Sequence, residues 1–433
     1  MPGVMLLKNG RVIDPANGID QIQDVLIAGG RISAVAQPGT LPEQAEALVY
    51  DLAGKWVVPG LIDMHVHLRE PGQEYKETIA TGTQAAAAGG FTAVAAMPNT
   101  KPVNDNQTVT LFILAKAAEA GFARVYPVGA ISCGSKGEHL AEFGELRQAG
   151  AVAVTDDGLP VGNSQLMRRA LEYAGNHDLL VISHAEEMTL SHGGAMNDGA
   201  LATRLGLRGI PHVAEEIMVY RDLALAEFTG RSIHIAHVST KESLSLIRRA
   251  KEKGVAVTAE TAPHYFTLTE KAVDGYNTLA KMNPPLRTEA DMAAVREALR
   301  DGTLDAIATD HAPHGELDKD MEFDLAANGI IGLETAVPLT LRLVRENQLE
   351  VRRMVELLSV NPARILGVPG GTLSVGAPAD IAVIDPEKKF VFTEESIQSK
   401  SKNSPFLGWE LQGKAVLTIL AGRITWGQDT FSS

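Results

Sequence analysis

The chain has 433 residues, 45% hydrophobic and 21% charged, a globular composition with enough apolar material for a large core. Its net charge of −14 argues against a nucleic-acid or anionic-membrane partner, although a local cation can still receive an anionic substrate. The single cysteine, Cys133, excludes an intramolecular disulfide and fits a reducing cytoplasm; the apolar start Met1 to Leu7 is too short for a signal-peptide core, and no run is long and uncharged enough to span a bilayer.

Short β-rich runs open the chain. Met5-Leu6-Leu7 leads to Asn9-Gly10, Arg11-Val12-Ile13 to Pro15, and Asp24-Val25-Leu26-Ile27 to Gly29-Gly30 and Arg31-Ile32-Ser33-Ala34-Val35. These are hairpin signatures. Residues 58–365 alternate apolar β-branched runs with alanine-rich helical segments such as Ala80 to Ala88 and Thr110 to Ala120. About eight such runs end near His67, Asn99, Ser132, Asp157, His184, His237, His264 and Asp310, as a parallel (β/α)8 barrel requires. Beyond them, Ala379 to Asp385 and Ala415 to Gly422 read as further strands. Neither terminal piece is large enough to stand alone. Residues 1–57 and 366–433 are therefore expected to form one small composite β-sandwich domain beside the barrel.

The chemistry gathers at the strand ends. His65 and His67 close the run Trp56 to Ile62, and residues i and i+2 of a strand share a face, so both rings can approach one metal ion. The pair Asp156-Asp157 ends the fourth run, His184 the fifth, His237 the sixth and Asp310 the eighth. Barrel enzymes place their active sites at this end. Nitrogen and oxygen donors without thiolate suit Zn²⁺, Mn²⁺, Co²⁺ or Fe²⁺, and the set can hold two ions about 3.5–4 Å apart.

With these residues in hand, the chain resembles the class I bacterial dihydroorotases of the amidohydrolase superfamily. The motifs are Asp63 to Gly72, Met97-Pro98-Asn99-Thr100, Thr155-Asp156-Asp157-Gly158, Ser183-His184-Ala185-Glu186, Ala236-His237-Val238-Ser239-Thr240, Lys281 to Arg287 and Thr309-Asp310-His311-Ala312-Pro313-His314. The resemblance runs over nearly the whole chain. It implies that His65, His67 and Asp310 hold one metal, that His184 and His237 hold the other, and that Asp157 bridges, with Asp156 in a structural place. Many relatives bridge with a carboxylated lysine from the fourth strand. No lysine occurs between Lys136 and Lys241, which leaves the bridge to an aspartate.

The implied reaction is the reversible cyclisation of N-carbamoyl-L-aspartate to L-dihydroorotate in pyrimidine synthesis. A metal-bound hydroxide attacks the ring amide, with Asp310 as general acid and base. The implied cofactor is Zn²⁺, one or two per chain. The implied setting is cytoplasmic, as a homodimer able to associate with aspartate transcarbamoylase, with a small-molecule substrate and no nucleic-acid or membrane partner. Two alternatives are another cyclic amidase, an allantoinase or hydantoinase, and a non-catalytic subunit scaffolding aspartate transcarbamoylase. Arg69 and the missing lysine count against the first, and the complete donor set against the second.

Arg69 presents a bidentate fork for a substrate carboxylate; its bland alternative is an ion pair with Glu70 or Glu74. The resemblance adds His67, Asn99, Asn283 and His314 as substrate contacts, and the backbone at Asn328-Gly329, where relatives carry Pro-Phe-Gly. Gly315 to Asp324 is expected as a solvated loop or mobile lid. His139, His177, His192 and His212 are expected in solvent and His234 in the core. His264 ends a strand without an assigned role, and Cys133 is expected to be a small packed residue.

Overall fold

The computed structural model describes residues 3–41 and 47–427. Met5–Asp14 pairs antiparallel with Ile19–Ala28, which turns through Gly29-Gly30 into Arg31–Ala36. Trp56–Pro59 links Met5–Asp14 to Ile381–Val391, and the path continues through Glu410–Leu420 to Arg423–Trp426. Both ends of the chain thus share one eight-stranded sheet, with Leu48–Asp51 pairing off Met5–Asp14. Trp56–Pro59 straddles residue 57. The sheet folds over until Gly422 lies against Gly30, so close that a Cβ on Gly422 would meet Gly30 Cα at 2.8 Å. It encloses Leu7, Val12, Val25, Ile27, Ile381 and Ile419.

One expected turn is absent. Asn9-Gly10 does not end a hairpin; it lies inside the single strand Met5–Asp14, at a register shift between Leu7 and Gly10. Asn9 takes a left-handed φ of 62°, and its backbone N–H donates to Asp24 Oδ1 at 2.9 Å. Gly10 lets Val57 pack where a Cβ would sit 2.6 Å from it. The same Asn-Gly conformational freedom that favours turns serves here as a bulge.

The barrel strands are Leu61–Val66, Phe91–Ala96, Arg124–Gly129, Ala153–Val154, Leu180–Ser183, Ile233–Ile235, Val257–Thr261 and Ala306–Ile307, parallel and in that order. A bridge from Val66 to His311 closes the ring, and His67 N–H donates to His311 O at 2.9 Å. Small and medium side chains fill the middle: Ile62, Met64, Ala95, Val128, Ile182 and Ala236. An irregularity between Asp63 and Val66 breaks the strict alternation of the first strand beside His65. Such bulges re-aim side chains at barrel rims. The alanine-rich helices begin earlier than their alanines suggest, at Ile79 and Gln107, where Thr78 and Asn106 cap them. No helix among the described residues is long and apolar enough to cross a membrane.

Candidate active site

Each barrel strand that carries a candidate ligand brings it to the C-terminal rim: His65 is the penultimate residue of Leu61–Val66, and the other five stand one to three residues past the ends of their strands. Asp157 is the common neighbour. Its carboxylate lies 3.3 Å from His65 Nε2, 3.5 Å from His67 Nε2, 3.4 Å from His184 Nδ1 and 3.6 Å from His237 Nε2. Asp310 Oδ1 is 3.1 Å from His67 Nε2 and 3.5 Å from His65 Nε2. His65, His67 and Asp157 form one group whose donor atoms could hold an ion, and Asp157, His184 and His237 form another. All six side chains are buried.

The imidazoles are aimed by what holds their other nitrogen. His65 Nδ1 is 3.0 Å from Glu260 Oε1, His67 Nδ1 is 2.8 Å from Asn99 Oδ1, and His184 Nε2 is 2.9 Å from Glu186 Oε2. An acceptor there keeps the proton on that nitrogen and turns the lone pair of the other toward Asp157. The residues fit metal binding on this chain's own geometry. Among the described residues, buried His65 Nε2 has no hydrogen-bond partner, and His184 Nδ1 and His237 Nε2 are 2.8 Å apart. Two ring nitrogens so close need a cation or proton between them.

The electrostatics agree. Burial opposes charge on Asp157, but His65 and the bonds from His184 and His237 outweigh it and hold its pKa well below the carboxylate range. Burial likewise opposes charge on His184, and Asp157 and Glu186 outweigh it and raise its pKa to about 10. A negative potential strong enough to hold protons on imidazoles is one that a divalent cation neutralises. His237 and Asp310 take left-handed φ values of 35° and 48°, and Arg69 one of 63°. Such backbone strain in non-glycine residues clusters at functional sites.

Arg69 lies beside this cluster. Its Nε donates to Pro313 O at 3.1 Å and its Nη2 is 3.3 Å from His314 Nε2. It makes no ion pair with Glu70 or Glu74, which instead accept from the backbone of Ile79 and Gly72. Asn283 donates to Glu186 Oε2 at 2.9 Å and so meets the His184 side of the site. Asn328 exposes its side chain, while Gly329 is buried. Gly329 has φ 151°, and a Cβ there would meet Ala312 O at 2.6 Å and His314 Cδ2 at 2.8 Å. Gly329→Ala is therefore expected to cost roughly 1–3 kcal/mol through strain and clash. A melting temperature equal to the parent's would contradict that packing. A cavity of about 800 Å³ opens next to His314, Tyr75, Lys319, Lys402 and Asn403.

Several expectations need correction. Cys133 is exposed, in the 3-10 turn Cys133–Ser135 after the third barrel strand, with its Sγ 3.4 Å from Leu140 O. His264 does not end a strand; it sits in the short helix Pro263–Thr267, buried, its Nε2 without a partner among the described residues. His177 is half-buried against Tyr173. His234 is buried as expected, yet it belongs to a polar network, with Nδ1 on Thr258 and Nε2 3.3 Å from Glu260. The stretch Gly315 to Asp324 is only partly solvated. Lys319 is buried, and its Nζ donates to the carbonyls of Thr278, Lys281 and Ala327.

Sequence reasoning missed four supporting residues. Glu260 had a signal, a carboxylate inside an apolar buried strand. Asp63 had one too: it accepts from the backbone of His65 and Thr309 and ties the first strand to the eighth. Lys76 and Asn403 had none. Asn403 reaches in from the C-terminal segment, donates to Ala312 O at 2.9 Å and Gly329 O at 3.0 Å, and accepts from His314 N–H at 3.0 Å.

A (β/α)8 barrel with a mixed imidazole and carboxylate cluster at its C-terminal rim is the architecture of an amidohydrolase. The family description "Dihydro-orotase-like" matches residues 54–243. The chain is 60% identical over 422 residues to a dihydroorotase of Syntrophotalea carbinolica, covering 98% of this chain and 99% of that one. It is 62% identical over 419 residues to a dihydroorotase of Desulfotalea psychrophila, covering 97% and 98%. Among solved structures, an L-hydantoinase from Arthrobacter aurescens superposes with a TM-score of 0.85 at 25% identity, covering 98% of this chain and 96% of that one. A dihydropyrimidinase from Brevibacillus agri gives 0.82 at 24%, covering 97% and 94%. The chain belongs to the dihydroorotase family.

Proposed function

We propose that this chain is a metal-dependent cyclic amidase acting as a dihydroorotase, interconverting N-carbamoyl-L-aspartate and L-dihydroorotate. The observation that carries it is the juxtaposition of the Asp157-centred cluster, suited to opening an amide, with the buried Arg69–His314 pair, suited to a carboxylate. The relatives at 60 and 62% identity over nearly the full length support that substrate over hydantoin or allantoin, and the retained donor set supports catalysis over scaffolding.

In this reading His65, His67 and Asp310 would hold one Zn²⁺, His184 and His237 a second where two bind, and Asp157 would be shared. A zinc ion there acidifies water towards a pKa of about 7 and polarises a carbonyl. The rest falls to the protein. Asp310 takes the proton of the attacking water and returns it to the ring nitrogen as the C–N bond breaks; cyclisation runs the same transfers backwards. Asn99 uses Oδ1 to hold His67, which leaves its Nδ2 for the substrate. Arg69 and His314 orient the carboxylate, and Asn283 and the Asn328-Gly329 backbone bound the ring. A cytoplasmic homodimer that can associate with aspartate transcarbamoylase belongs to the same reading.

The test is a charge-selective loss at Arg69. Arg69→Lys is expected to lower kcat/KM for dihydroorotate about 10–100-fold, by losing the two-pronged contact, and Arg69→Ala by more. An uncharged cyclic amide should be much less affected, and metal content should be unchanged. Equal losses on both substrates would make Arg69 a structural residue and remove the carboxylate assignment.

A further inference from the structure

His314 lies between two cations. Its Nδ1 is 3.1 Å from Lys76 Nζ and its Nε2 is 3.3 Å from Arg69 Nη2, and all three side chains are buried. Ammonium and guanidinium groups only donate. Burial, together with the charges of Arg69, Lys76 and Lys319, pushes the His314 pKa down to about 2, so the ring is neutral. A neutral imidazole has one lone pair and one N–H and can accept from only one of the two cations. The other contact sets donor against donor. Lys76 makes the shorter contact, while Arg69 already gives its Nε–H to Pro313 O at 3.1 Å.

The surroundings fix this arrangement. Ser401 Oγ donates to Lys76 O at 2.6 Å, and Asp318 Oδ2 stands 3.5 Å from the ammonium. His314 N–H is held by Asn403 at 3.0 Å, and Gly329 passes close to Cδ2, the ring carbon bonded to Nε2.

We infer that Lys76 is a positioning residue: by donating to Nδ1 it fixes His314 as the Nε2–H tautomer, so that Nε2–H and Arg69 Nη2–H converge on one acceptor, the substrate carboxylate. This rests on the carboxylate-binding reading given above. The anion relieves the donor–donor contact, so the pair is held ready for an acceptor that bears a full negative charge. Without the ammonium, His314 can move its proton to Nδ1 and accept from Arg69. The two groups then satisfy each other rather than the substrate.

The test uses metal-loaded protein carrying Lys76→Met or Lys76→Arg. Lys76→Met is expected to raise KM for dihydroorotate about 10–100-fold, the worth of a hydrogen bond to a charged group, with kcat little changed. Lys76→Arg, which still donates, should restore most of it, and an uncharged cyclic amide should respond to neither. Long-range ¹H–¹⁵N spectra should show His314 protonated at Nε2 in the parent and at Nδ1 in Lys76→Met. A parental ring protonated at Nδ1 overturns the inference, as does a parental KM in Lys76→Met or an equal loss of kcat and KM on both substrates. Should Lys76→Met not fold, the parental spectrum and Lys76→Arg decide. An Nε2–H parent whose Arg69 variants lose both substrates equally would remove the carboxylate reading and leave the tautomer in place.

Discussion

Asp310→Asn is expected to lower kcat for dihydroorotate by about 10²–10⁴-fold, the usual worth of general acid–base catalysis, while KM changes little. The asparagine can occupy the same left-handed backbone position, since Asn tolerates φ near the observed 48° better than most residues. It can still meet His67 across the 3.1 Å contact. What it lacks is a site that takes up and returns a proton at neutral pH. The deficit should appear in both directions of the reaction, because the same group serves ring opening and ring closure. Steady-state kinetics with metal analysis of the same sample would check it. A variant with full metal and a defect confined to KM would refute the proton-carrying role.

His65→Ala should be as damaging for a different reason. His65 is fully buried, and its orphaned Nε2 faces both Asp157 and Asp310. Truncation removes a donor that both carboxylates face and leaves Glu260 with His234 alone. Metal per chain is expected to fall and activity to become undetectable. The fold should persist, because the barrel interior of Ile62, Met64, Ala95 and Ile182 is untouched. Elemental analysis, circular dichroism and turnover after chelation and zinc reconstitution would show this. Near-parental turnover in the reconstituted variant would sink the ligand assignment.

The barrel was legible because its strands are buried on both faces and read as unbroken apolar runs, each followed by a polar residue with chemical capacity. The same regularity exposed His65, His67, Asp157, His184, His237 and Asp310 as a group, and the structure brings all six together. The partners that aim these rings were harder to see. Asn99, Glu186 and Glu260 each hold a ligand ring by one contact, between residues 32 and 195 positions apart in two cases. Asn9-Gly10 misled because a turn and a bulge ask for the same backbone freedom, and only the partner strand tells them apart. Lys319 misled because a charged stretch looks solvated, whereas three backbone carbonyls from two segments gather round its ammonium.

Asn403 gives the molecule an order of completion. Ribosomal synthesis delivers His65 first and Asp310 much later, but the side chain that ties Ala312, His314 and Gly329 together comes later still. All six clustered side chains are thus made before the residue that supplies the last stitch of the pocket's substrate end. An ion acquired before that residue is in place would sit in a chain not yet able to orient its substrate, and turnover would begin only once the C-terminal segment had crossed back over the barrel mouth.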